Sequence, residues 1–106
     1  MKKVFAVLVL AATLLILVAG CGKQPIEKAQ DKAVEIGRQY LNFEITGKEA
    51  RELLNDIKVP AVETGNGQVY LDADIGYLAF IIAKQDSTYE EIEERVNLIA
   101  SRDYTK

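Results

Sequence analysis

Val4 to Ala19 carries no charge and is apolar except for Thr13. Lys2 and Lys3 precede this run, and the small residues Ala19 and Gly20 end it. As a helix, sixteen residues reach about 24 Å at 1.5 Å each. That falls short of the roughly 30 Å hydrocarbon core that a stable membrane span must cross. A charged start, an apolar middle and a small-residue end are the layout of an export signal rather than of a folded element. The chain therefore divides at Gly20. The first 20 residues hold 16 apolar positions and the other 86 hold 36, an ordinary share for one small globular domain. The positive end stays cytoplasmic, so the sequence after Gly20 is expected to face outward.

The residues at the division are Val18, Ala19, Gly20 and Cys21, and Cys21 is the sole cysteine. An aliphatic residue, two small residues and a Cys resemble the lipobox of bacterial lipoproteins, with Val18 where Leu is commonest. The resemblance covers residues 1–21 only. It implies recognition of Val18, Ala19 and Gly20 by the signal peptidase, a diacylglycerol thioether on Cys21, and a mature chain beginning at Cys21. Gly22 is not the Asp that retains such proteins at an inner membrane. One acyl chain binds a bilayer marginally and two bind stably, so a diacylglycerol supplies a sufficient anchor. The organisation expected is a signal peptide over 1–20, a lipidated Cys and tether over 21–24, and a small domain over 25–106.

Within the domain, apolar residues at Ile26, Ala29, Ala33, Ile36 and Tyr40 form one stripe, and Pro25 suits a first helical turn. The spacing predicts a helix over 25–42. Thr46-Gly47-Lys48-Glu49 has capping-box spacing ahead of Ala50, Leu53, Leu54 and Ile57, so a second helix is expected to stop before Pro60. Asn66-Gly67 is a turn signal that could close a short hairpin. Val69 to Lys84 reads two ways. Leu71, Ile75, Leu78 and Ile82 have helical spacing, whereas Val69, Leu71, Ala73 and Ile75 alternate as in a strand. The helical reading makes Asp72 the cap, puts Asp74 in the first turn, and makes 72–84 a central helix buried on all sides. Ser87 and Glu90 define a capping box for a last helix with stripe residues Tyr89, Ile92, Val96 and Ile99. The fold class expected is mainly α, three to four helices, with the alternative of an α+β domain carrying a hairpin around residues 62–82.

The chemistry available is narrow. There is no His, so imidazole catalysis and His-ligated metals are excluded, and one Cys excludes Cys-rich zinc sites and intramolecular disulfides. Asp72 to Gly76 superficially resembles an EF-hand opening, but positions 6 and 12 would be Tyr77 and Ala83, not Gly and Glu. Gly65-Asn66-Gly67 lacks phosphate-loop spacing. A net charge of −3 gives no footprint for nucleic acid. No catalytic, cofactor or metal site is expected. The reading is a membrane-anchored cell-envelope lipoprotein on the extracytoplasmic face, acting as a non-catalytic protein-interaction module with membrane lipid and an envelope protein as partners. The alternatives are a ligand-binding lipoprotein with an apolar pocket between helices, lined by tyrosines and Phe80, and a single-pass subunit with residues 4–20 uncleaved. On the first reading, a fully buried central helix leaves binding to the polar outer faces.

Overall fold

The computed structural model describes residues 23–106. The fold is mainly α, with four helices: α1 (Pro25–Leu41), α2 (Gly47–Asn55), α3 (Gly67–Ala83) and α4 (Tyr89–Ser101). No strand occurs among the described residues. The hairpin alternative around 62–82 is therefore overturned. Asn66 lies at the N-cap position of α3 and Gly67 is its first residue. The preceding segment is tied back not by a strand ladder but by the Gln68 amide, which donates to the Val59 carbonyl at 3.0 Å.

The first two helices start as the sequence indicates. Pro25 opens α1, where a missing N–H costs nothing, and Glu27 accepts from the Gln24 N–H at 3.1 Å. Thr46 and Glu49 close a reciprocal capping box on α2, both bonds being 3.1 Å. The α1 end is a Schellman closure: the Phe43 N–H donates to Tyr40 and the Glu44 N–H to Gln39.

The other two starts differ from expectation. Asp72 does not cap α3; it is exposed, five residues into a helix that starts at Gly67. A Cβ at Gly67 would collide with the Tyr104 carbonyl, so the first residue of α3 must be a glycine for the C-terminal segment to pack there. Asp74 is not in the first turn either, and it is buried. On α4 the cap is Thr88, whose hydroxyl accepts from the Glu91 N–H at 3.1 Å. Ser87 lies one residue outside. Its N–H closes the turn onto the Lys84 carbonyl, which removes it from the cap register.

The helices run up, down, up and down, with α1 against α2 and α4, and α3 against the same two. Gln30 of α1 fixes the α1–α4 pairing. Its amide donates to the carbonyls of Ile99 and Arg102, both at 2.7 Å, and satisfies two groups at the end of α4. Gly37 allows a close crossing, because a Cβ there would sit 2.5 Å from Val96 Cγ2. The core runs from Ile26 to Tyr104, with Ala33, Ala50, Leu71, Leu78 and Ile99 fully covered. Residues 23–106 thus share one continuous core. One end of the bundle carries Pro25, the start of α3 and the segment Arg102–Lys106. The other carries the ends of α1 and α3 and the starts of α2 and α4.

Candidate functional site

The helix α3 carries two apolar seams. Leu71, Ile75, Leu78 and Ile82, spaced 4, 3 and 4, are all buried. Val69, Ala73, Gly76, Phe80 and Ala83, spaced 4, 3, 4 and 3, lie on the opposite side and are all exposed. Tyr70 and Tyr77, one heptad apart, cover one edge of that outer seam. Val69 is 63% exposed, Phe80 60%, Tyr70 51% and Tyr77 44%. The expected all-round burial of this helix is overturned. In a four-helix bundle α3 is a corner, not an axis, and its neighbours cover only its inner half. The only ionisable acids of α3 are Asp72, exposed, and Asp74, directed inward. A continuous apolar strip with so little charge is the kind of surface that marks an interaction site. At its middle, a Cβ on Gly76 would meet no atom of the described residues within 4 Å, so the strip has an open notch.

Behind the strip lies a polar clasp. The Asp74 carboxylate accepts from the Tyr104 hydroxyl at 2.6 Å and from Arg102 Nη1 at 2.9 Å. Arg95 Nη1 stands 3.9 Å from its other oxygen. A buried carboxylate is costly unless charged and hydrogen-bonded partners surround it, and here both are supplied. Burial, then the bond to Asp74, hold the Tyr104 phenol above its ordinary range, so it remains a donor. The same arginines reach outward. The Arg95 guanidinium lies 4.3 Å above the Tyr77 ring, and that of Arg102 is 5.9 Å from the Tyr70 ring. One inward carboxylate therefore props both tyrosines that edge the outer seam. The bonds to Asp74 hold Arg102–Lys106 against the bundle, and Arg95 and Tyr77 also line a shallow open groove of about 450 Å³ on α4.

A second apolar feature occupies the opposite end. Tyr40, Phe43, Ile45, Tyr89 and Ile92 line an open groove of about 510 Å³. Phe43 is 88% exposed and has φ of 61°, because the Schellman closure requires a left-handed residue and Gly is absent there. The buried Ser87 hydroxyl, beside this groove, has no hydrogen-bond partner among the described residues.

Val18, Ala19, Gly20 and Cys21 lie outside the described residues. Of the aromatic residues named for a pocket, Tyr40 and Tyr89 meet at that groove, Tyr70, Tyr77 and Phe80 lie on the outer side of α3, and Tyr104 is core. Glu90, Glu93 and Glu94 are exposed on the first turns of α4. Among the described residues no group of three acids or Cys is placed to hold a metal ion. No helix among them is long and apolar enough to cross a membrane. Sequence reasoning missed the outer seam, although its 4-3-4-3 spacing was present beside the inner one. It also missed the clasp, in which Asp74 meets partners 21 to 30 positions further along the chain. No protein-family model matches the chain, and no curated protein and no solved structure shows significant similarity to it.

Proposed function

We propose that this chain is a lipid-anchored lipoprotein of the cell envelope, held on the extracytoplasmic face through Cys21, whose bundle binds a protein through the outer face of α3. The observation that carries the binding half is the exposed strip from Val69 to Ala83, backed by arginines that fix its tyrosines. This replaces the expected use of polar outer faces, since the apolar surface thought to be consumed in the core is half exposed. The anchoring half rests on the resemblance of Val18 to Cys21 to a lipobox and on the uncharged run before it. Two acyl chains on Cys21 and a tether of only three residues, Gly22 to Gln24, would keep the bundle close to the bilayer.

Two measurements test the two halves separately. Intact-mass spectrometry of the membrane fraction should show a chain starting at an acylated Cys21, and Cys21→Ser should accumulate the precursor. An unmodified wild-type chain starting at Met1 refutes the anchor. For the surface, a photocrosslinking amino acid at Phe80 in intact cells should give discrete protein adducts, whereas the same group at exposed Glu35 of α1 should give few. Equal adduct patterns from both positions remove α3 as the binding face.

A further inference from the structure

We infer that the tethered end of the bundle carries a membrane-seating site. The lysine-rimmed groove between α1 and the end of α2 receives the anionic headgroups of phospholipids in the membrane that holds Cys21. The inference rests on the reading of Cys21 as the anchor and adds the second contact that orients the bundle on that membrane.

The groove has a volume of about 630 Å³ and opens beside Pro25. Lys28 and Lys32 of α1 and Lys58, just after α2, line it, and all three are exposed. Asp56 is the one acid on its wall, and Ala29 and Leu53 give it an apolar floor. Residues 23–106 hold 11 Lys and Arg against 16 Asp and Glu, so three cations with one anion run against the charge of the whole. Among the described residues, lysine ion pairs join Lys23 to Asp31, Lys84 to Asp86 and Lys106 to Asp103. Lys28, Lys32 and Lys58 form none. Lys28 and Lys32 share one helix face and repel each other unless an anion lies between them. Lysines above an apolar floor suit a phosphate at the rim and lipid carbons beneath, with the lysine stems lying along the floor.

Position and charge together name the occupant. The chain from Cys21 to Pro25 spans at most about 14 Å when extended. Pro25 itself lines the groove. Lipid on Cys21 therefore keeps the groove within a tether length of the bilayer. An acidic segment of a protein would meet the same lysines, but no tether brings one there. Each lysine beside an anionic bilayer favours association roughly fivefold, so three lysines less Asp56 favour the seated orientation about 25-fold. The anchor already confines the bundle, so this preference acts on its orientation. α3 lies diagonal to α1 in the bundle, so a seated groove leaves the outer face of α3 clear of lipid and open to a protein.

Lysine acetylation of the membrane-purified chain, reconstituted in vesicles and read by peptide mass spectrometry, tests the contact. The vesicles are phosphatidylcholine alone or an equal mixture with phosphatidylglycerol. In the mixture Lys28, Lys32 and Lys58 should react at least about fivefold more slowly than in phosphatidylcholine, and about 1 M salt should remove the difference. Lys48 and Lys84, at the far end of the bundle, should react alike in both. Lys32→Glu with Lys58→Glu should restore the reactivity of Lys28 in the mixture. Both residues are exposed, so the circular dichroism should not change. Equal reactivity of the three lysines in both vesicle types, while the chain floats with both, overturns the inference and leaves the anchor standing. Protection by inorganic phosphate added to phosphatidylcholine vesicles overturns it by assigning the groove to a free anion. Protection in whole membranes but not in the lipid mixture overturns it by assigning the groove to an acidic protein. An unacylated Cys21 with the three lysines still protected in the mixture refutes the anchor and leaves the lipid contact intact.

Discussion

Tyr104→Phe isolates the bond that fixes Arg102–Lys106 to the bundle. The ring is 2% exposed and stays in place in the variant, so no cavity opens. What is lost is the hydroxyl donor to Asp74 at 2.6 Å. A hydrogen bond to a charged acceptor contributes about 1.5–3 kcal/mol. Arg102 at 2.9 Å remains to hold the carboxylate, so the loss should lie near the lower end, about 1.5–2 kcal/mol. Urea denaturation of residues 23–106 measures it, and a cycle with Asp74→Asn should return a coupling of at least about 1 kcal/mol. The same bond predicts an alkaline signature. The folded phenol titrates above its unfolded value near 10, so its contribution is complete below about pH 10 and lost as pH rises toward the folded pKa. Tyr104→Phe should flatten that part of the decline. A change below about 0.3 kcal/mol, with an unaltered alkaline limb, would refute the assignment of Tyr104 as the clasp donor.

Gly37 and Gly76 are both mid-helix glycines and should respond oppositely to alanine. Gly76→Ala should stabilise by up to about 1 kcal/mol, the propensity difference, because nothing crowds the site. Gly37→Ala should destabilise by about 1–2 kcal/mol, since the new methyl meets Val96 Cγ2 at 2.5 Å and overpacking exceeds the propensity gain; denaturation midpoints of the two variants check both signs. Thr88→Ala should cost about 1 kcal/mol through the lost Glu91 N–H bond. Ser87→Ala should cost nothing or stabilise, because its buried hydroxyl has no partner. A reversed order in chemical denaturation would restore Ser87 as the cap.

Much of the architecture was legible from local rules. The stripe from Ile26 to Tyr40 and the Thr46–Glu49 box fixed two helices because caps and periodicity act over three or four residues. The register of α4 was ambiguous by one, since Ser87–Glu90 and Thr88–Glu91 share the same spacing, and only the turn at Lys84 chooses between them. The start of α3 was hidden for a different reason. Asn66-Gly67 satisfies the rule for a hairpin turn, and the glycine answers instead to the Tyr104 carbonyl packed where a side chain would stand. Asp74 read as a first-turn acid because its partners, Arg95, Arg102 and Tyr104, become neighbours only after folding. The outer seam was obscured by its own hydrophobicity. A helix that is apolar all round states that it is covered, not by what, and the bundle's four corners leave half of it for something else.

The measurement closest to the centre of this account compares one charge on each side of α3. Phe80→Glu and Ile82→Glu place the same carboxylate two residues apart, at positions 60% and 7% exposed. Phe80→Glu should keep the wild-type denaturation midpoint at low protein concentration. Ile82→Glu should lose several kcal/mol, the cost of an unpaired charge in a core. If Phe80→Glu unfolds the bundle as Ile82→Glu does, the outer seam is core, and α3 has no surface with which to bind.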